Sequence, residues 1–586
     1  MNKKLITLLL FIFSFYIIKA QNEFITIWKP SLPHPHPSLP YAGIPVNSSD
    51  TQIWVPAVGT NFQIFWEEIG YPSHSATLTN VNSTYQVFID FGVPLNPNPS
   101  DATYRLKISN GNGNFHRIRF SNWDLFINGD GIVGDAHKII DIEQWGNTHW
   151  SSMGQAFQAC RFMDITAADI PDLSNVTDMS YMFAGDNILV GNPTINNWNI
   201  SNVTTLLATF SGCFVFNQPV GNWDTSNVNM MGITFSSARQ FNQPIGNWDT
   251  SNVEYMTAMF DNAKEFDQPI GNWDLSNTID CEFMFSNALM FNQPIGNWNT
   301  SKVVEMDRMF NLAKKFDQDI SNWDTGSVTI MDGMFAGAEN FNQNIGNWNV
   351  SKVVYMNDMF NGASKFNQDI GTWNVSKVIW MQNMFKNAIN FNQDINNWNV
   401  SLVNNMSAIF NGAASFNQNL GKWSLNSLVN APNMFLNSAL NCQNYDSTLH
   451  GWDQNSATPN SVNLGSASPL VYSHTAAVSA RNHLIANKSW QISGDTYDGE
   501  CQSFLSTSEA IVKNEITIYP NPTTDFIYIK NLKGYNSFKI FDANGRIVRN
   551  SSLNHEKIDV NSLIEGNYIL QIISGDKAQS FKFIKK

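Results

Sequence analysis

Histidine, the commonest general base, is absent between His149 and His450 of this 586-residue chain, so a long central span lacks the side chain best suited to moving protons near neutral pH. Outside that span, His34 and His36 alternate with prolines in SLPHPHPSLP, which suits an extended polyproline segment better than a metal site. Asn128, Asp130 and Asp135 offer the oxygens of a calcium loop, but their spacing departs from DxDxDG and the closing Glu is missing. An Asp-Gly turn at Asp130-Gly131 is the expected structure. Glu67, Glu68 and Asp90 are the carboxylates that a glycan-degrading site in the amino-terminal part would need. Cys160, Cys213, Cys281, Cys442 and Cys501 form no CxxC pair, which leaves zinc and redox motifs unsupported. No GxSxG, phosphate loop, HExxH or dinucleotide fingerprint occurs. The expectation is a binding protein with no catalytic residue, cofactor or metal.

The elements that must carry any site are set by a repeat. Trp recurs every 25 residues from Trp198 to Trp423, Gln from Gln218 to Gln418, and Phe from Phe210 to Phe435. An enzyme must break its symmetry to place a unique acid or base, whereas a scaffold can repeat itself. In the copy Phe241 to Glu265, Val253, Met256, Phe260 and Ala263 step by three, four and three residues, the spacing of one helical face, with Ser251 placed as its N-cap. Phe266 and Ile270 fall at even spacing and suggest a short strand, kinked where Pro219, Pro244, Pro269 and Pro294 recur. The expected fold is therefore a repeat solenoid of α/β coils over residues 155–440. Burying one coil's apolar side chains yields on the order of 10 to 15 kcal/mol against roughly 35 for ordering it, so a coil is stable only when stacked.

Within that stack the repeated Gln and Asn read as structural amide ladders more than as a sugar-binding surface, and the Trp series reads as buried pegs. Cys160 and Cys213 sit two coils apart, beyond disulfide reach, and Cys281 fills a slot that is Met in most copies. Residues that vary between copies are the expected ligand contacts: Tyr255, Glu305, Arg308, Tyr355 and Trp380.

Residues 1–20 have a basic start, an apolar run and Lys19-Ala20 before Gln21, the layout of a signal peptide cleaved between Ala20 and Gln21. No later run is long enough for a stable membrane span. A net charge of −14 and a pI near 5.1 argue against a nucleic-acid partner. Short β-like runs (Phe24 to Trp28, Gln52 to Val55, Phe62 to Trp66, Tyr85 to Phe91, Tyr104 to Ile108, Phe115 to Phe120) suggest a β-sandwich over residues 21–125. Residues 126–154 lead into the first coil, and 441–501 cap the last, with Cys442 and Cys501 an expected disulfide in an exported chain. A linker at 502–514 precedes residues 515–586, where alternating stretches and Asn-Gly turns describe a small β-sandwich.

The string SNVxxMxxMFxxAxxFNQxIxxW, as in Ser351 to Trp373, resembles the repeat of the BspA-like leucine-rich-repeat surface proteins. That resemblance implies a leucine-rich-repeat-like solenoid and a role in adhesion to an extracellular protein or glycan. The amino-terminal runs look similar to the PKD-like region that often precedes such repeats, with Trp66-Glu67-Glu68-Ile69-Gly70 as a remnant of its signature, and Lys138 to Trp150 looks like the family's lead-in. From Ile516, ITIYPNPTTDFIYI with Asn544-Gly545, Gly566-Asn567-Tyr568 and the basic end Lys582 to Lys586 resembles the type A sorting domain of the Bacteroidetes type IX secretion system. This implies export by that machinery, followed by release or attachment to surface lipopolysaccharide. Two alternatives stand beside the binding role: a structural spacer with recognition in the amino-terminal part, and a polysaccharide-degrading enzyme.

Overall fold

The computed structural model describes residues 22–33, 48–120, 134–501, 517–530, 536–543, 545–553, 556–574 and 577–586. The signal peptide with Ala20 and Gln21, His34 and His36, the Asn128 to Gly131 turn, Asn544 and the 502–514 linker lie outside them. The chain divides into two units, Met1–Ser503 and Phe504–Lys586.

The repeats correct the expected fold. Among the described residues, 155–440 contain no α-helix and no continuous sheet that closes a coil. They hold turns, single-residue bridges, a two-residue strand at Asp164–Ile165 and a 3-10 turn at Pro193–Asn197. The leucine-rich-repeat-like α/β solenoid is therefore not the architecture. The 3-4-3 spacing arises from consecutive tight turns, in which the amides of Met259, Ala263 and Phe266 donate to the carbonyls of Met256, Phe260 and Ala263 at 3.0–3.2 Å. Between these turns the backbone enters the left-handed region, with φ 52° at Ala258 and 57° at Asn262, which no α-helix tolerates. The alternate amides of Met256, Ala258, Phe260 and Asn262 point along the stack and donate to Asp280, Glu282, Met284 and Ser286 of the next unit at 2.7–3.0 Å. Ser251 caps no helix: its amide donates to Asp249 Oδ1 at 2.9 Å in a turn.

Side chains lock the same stacking. Trp248 and Trp273 donate their indole N–H to the carbonyls of Val220 and Ile245 in the preceding unit, at 3.0 and 3.1 Å. The bond recurs through Trp423, which reaches Ile395 at 2.9 Å. Neighbouring indoles lie parallel, 6.2 Å apart for Trp223 and Trp248. Asn242 Oδ1 accepts from the Asp267 amide at 3.0 Å and from Gln268 Nε2 at 2.8 Å, and the pattern repeats through Gln418 and Asn392.

Before the repeats come β1 (Phe24–Trp28), β2 (Gln52–Val55), β3 (Ala57–Glu68), β4 (Tyr71–Ser83), β5 (Val87–Asp90), β6 (Tyr104–Ser109), β7 (Asn114–Ile118) and β8 (Ile139–Gln144), and inside the first unit β9 (Asp164–Ile165). Seven of these form one sheet in the order β4-β3-β6-β1-β8-β9, with β7 also on β3, while β2 and β5 make a separate ribbon. This is not the expected β-sandwich. The first repeat units occupy the place of a second sheet: Phe24 of β1 meets Trp150 at 5.1 Å and Phe157 at 6.4 Å, in one core that runs on into the stack. The parallel pairing of β8 with β9 carries the sheet itself into the repeats.

After the last unit, helix α1 (Cys442–Gln454) continues both side-chain series, with Trp452 Nε1 bonded to the Leu420 carbonyl at 2.9 Å and Asn444 Nδ2 to Asn417 Oδ1 at 2.9 Å. A second helix, α2 (Thr475–Lys488), lies against α1. Cys442 and Cys501 are disulfide-bonded with Cα atoms 6.5 Å apart, while Cys160, Cys213 and Cys281 are buried free thiols. The carboxy-terminal unit has two small separate sheets in place of the expected sandwich: Thr517–Tyr519, Phe526–Lys530 and Lys557–Asp559 in one, and Ser537–Phe541, Ile547–Ser552, Gly566–Ser574 and Lys577–Lys585 in the other.

One buried group departs from the repeat's pattern. Asp186 is wholly buried and, among the described residues, its carboxylate oxygens find no well-formed hydrogen bond, at a slot that later units fill with Ala238 or Ala263. Burial pushes its carboxyl well above the usual range.

Two stability outcomes follow from this packing. Asp186→Ala raises the urea midpoint at pH 7, by about 1 kcal/mol or more, because it removes a buried polar group without a well-formed hydrogen bond; a lower midpoint would contradict the assignment. Trp298→Phe costs about 1–3 kcal/mol by leaving the Ile270 carbonyl without its donor, read as a lower thermal midpoint.

Candidate functional site

The bridges between units place one residue of each unit in a single column. It runs through Thr205, Met230, Tyr255, Asp280, Glu305, Ile330, Tyr355, Trp380, Asn405 and Asn430. Next to each bridge residue stands a buried one, Met256 after Tyr255 and Met381 after Trp380, so alternation along the backbone turns the bridge side chain away from the core. Four of the five residues singled out from the sequence, Tyr255, Glu305, Tyr355 and Trp380, stand in this column. They lie on no helix. Arg308 follows Glu305 by three residues at a left-handed position, φ 51°, and its guanidinium lies 5.1 Å from the centre of the Phe283 ring.

The column has two chemically different stretches. In the first, the carboxylates of Asp280, Glu282 and Glu305 approach within 4.8 Å of one another, an oxygen set suited to a hard divalent cation. Thr257 Oγ1 donates to Asp280 Oδ2 at 2.5 Å. Burial, and next the charge of neighbouring Glu282, push the Asp307 carboxyl up to about 7. Burial raises Glu282 as well, and the two carboxyls share a hydrogen bond. In the second stretch, the rings of Tyr355 and Trp380 stand 5.1 Å apart at 48°, and Asn405 follows them. Trp380 is 44% exposed and Tyr255 36%.

Asp280, Glu282 and Asp307 were missed in the sequence, although a signal was present. Asp280 occupies the slot of Tyr255 and Glu305, one period from each, and aligning copies slot by slot would have found it.

The repeated amides act as structure. Each ladder Asn or Asp, as Asn292 and Asp267, accepts from the next unit's backbone and Gln side chain, which leaves the series little capacity for a ligand. In the amino-terminal part the three carboxylates are also engaged. Against the burial that would raise them, hydrogen bonds and charges of Lys107 and Arg105 hold Glu67 below its usual range, and bonds from His74 and the Leu95 and Asn96 amides do the same for Glu68. Bonds from Gln52 and the Gly92 amide lower Asp90. None of the three is held protonated as a general acid requires. Asp135 accepts from Ser48 Oγ at 2.8 Å and from the Trp54 amide at 2.6 Å.

Comparison with known families gives two matches. The family described as "Mycoplasma protein of unknown function, DUF285" matches residues 150–273, 186–297, 279–390 and 366–470, an overlapping series over more than half of the chain. It accounts for the repeat without the leucine-rich-repeat name. "Secretion system C-terminal sorting domain" matches residues 517–586. No curated protein matches. The sorting domain marks export by type IX secretion, to the cell surface or outside the cell. Among the described residues, no helix is long and apolar enough to cross a membrane.

The Glu282 and Asp307 pair generates a pH dependence. A carboxyl whose folded-state value is raised holds its proton only in the folded state between the ordinary Asp value of 3.8 and about 7. Its stabilising contribution is full below that window and is lost as pH rises through about 7. Asp307→Asn therefore flattens the fall in urea-unfolding stability between pH 4 and pH 7 and makes the protein more stable than the parent at pH 8. An unchanged slope would show that the pair does not titrate there.

Proposed function

The chain belongs to the family described as Mycoplasma protein of unknown function, DUF285, and from that membership and its sorting domain we propose a secreted or surface-attached binding protein that mediates adhesion. Its stacked repeats present the bridge column to an extracellular protein or glycan. One observation carries the reading: the bridge slot changes from Thr205 and Met230 through Asp280 to Trp380 and Asn405 and forms an outward-facing line, while the constant Trp, Phe, Gln and Asn hold the stack together. Variation along an exposed line on a fixed frame is what a ligand-facing surface needs. Repetition adds multivalency, since weak contacts at several units act at a high effective concentration on an extended ligand.

A spacer with recognition in the amino-terminal part is the competing reading. Deleting that part would uncover the core it shares with the first units, so point variants make the cleaner test. The exported protein is applied to an array of matrix proteins and glycans beside the triple variant Tyr255→Ser, Glu305→Gln, Trp380→Ala. A fall of about tenfold or more on the bound spots is expected, as for loss of central anchor residues. Unchanged binding removes the column from the function, and a parent protein that binds nothing favours the spacer.

A further inference from the structure

Eighteen tryptophans lie among the described residues, and Trp380 is the one exposed, at 44%; those of the repeat series are 0–4% exposed. Its neighbour along the column, Tyr355, turns its ring toward it at 5.1 Å, so two adjacent units offer a joined aromatic surface to solvent. Exposing an indole forgoes the burial that the tryptophans of the repeat series have, and a partner that covers the ring recovers it.

The surroundings define that partner's chemistry. At the bridge slot and the second slot after it, the three units from Tyr355 to Ser407 carry the two rings, the amides of Asn357, Gln382 and Asn405 and the hydroxyl of Ser407, with no charged side chain. Asn405 Nδ2 donates to Gln382 Oε1 at 3.0 Å, and Asn405 Oδ1 accepts from Ser407 Oγ at 2.6 Å, so a polar network borders the rings. A phosphate, sulfate or uronate would meet no cation at these slots, the lysines nearest in sequence being Lys352 and Lys377 three residues before the rings, and a basic segment would be drawn to the carboxylates of Asp280 and Glu305 instead. Aromatic faces bordered by neutral amides complement a ligand that alternates apolar C–H faces with hydroxyls.

We propose that Tyr355 and Trp380 form the platform of a binding site for a neutral polysaccharide chain, with Gln382 and Asn405 placed to hydrogen-bond its hydroxyls. The proposal rests on the reading of the column as the binding face and names its ligand class. Successive units continue the face in the column's direction, so an extended chain lying along it meets several units at once.

The test is affinity electrophoresis of the full exported protein in native gels containing laminarin, xyloglucan or mannan. At least one of the three retards the parent. Trp380→Ala and Tyr355→Ala each weaken retardation about tenfold or more, Trp380→Phe retains part of it, and Lys315→Ala, on an exposed residue outside the column, leaves it unchanged. An unaltered thermal midpoint in Trp380→Ala shows that the loss is one of binding. Absence of retardation in all three gels overturns the proposal, as does retardation that survives Trp380→Ala. Parent protein that ignores the three polysaccharides yet binds matrix proteins through the column overturns the glycan assignment alone. If the triple variant keeps that matrix binding too, the column reading falls with it.

Discussion

Each unit depends on a bond it cannot make by itself, the indole N–H of its Trp to a main-chain carbonyl of the unit before. Both groups are buried, and a buried donor or acceptor left unpaired costs about 1–3 kcal/mol. Stacking therefore satisfies the polar groups as well as burying the rings. The ends show the constraint at work. Among the described residues, Trp198, first in the series, has no partner for its Nε1, and neither has Trp150 in the lead-in. At the far end α1 supplies Trp452, whose N–H takes the Leu420 carbonyl and closes the series with a helix.

That dependence explains how the backbone can leave regular structure. A helix would keep its amides for itself, and a sheet would give them to strands on both sides. Here one set of amides closes tight turns while the other reaches along the stack, and left-handed residues between them make the alternation possible. The frame is thus specified by a few constant side chains and by backbone geometry. At the outward slot of Tyr255, Glu305 and Trp380 the backbone bonds that a side chain takes stay within the unit, as at Thr205, Asp280 and Asn405, so this slot is free to differ from copy to copy.

The same geometry accounts for what misled the reading of the repeats. Val253, Met256, Phe260 and Ala263 do face one core, as a 3-4-3 spacing requires, but spacing reports the direction of side chains and not the path of the backbone between them. A contrary signal lay in the sequence at Asn262, Asn287, Gly337, Gly362, Asn387 and Gly412, one slot per unit filled by the residue types most at ease with positive φ. In the amino-terminal part, β1 and β2 coincide with their sequence runs because their apolar residues meet a core. Strand β4, YPSHSATLTNVNS, showed no such pattern because much of its length is exposed on both faces.

The sequence by itself determined the 25-residue unit, the buried Trp and Phe, the structural role of the amides, the Cys442 to Cys501 disulfide and the sorting domain. The repeat features are fixed by composition at a repeated spacing, and a period needs no coordinates to be seen; the disulfide and the sorting domain were legible from a cysteine pair in an exported chain and from local motifs. The tertiary structure alone decided that the units are turns joined by single bridges, that the amino-terminal sheet shares its core with the first units, and that Asp280 and Glu282 join Glu305 while Tyr355 joins Trp380. Those outcomes depend on which carbonyl each amide reaches in the neighbouring unit, and a one-dimensional pattern does not record that choice.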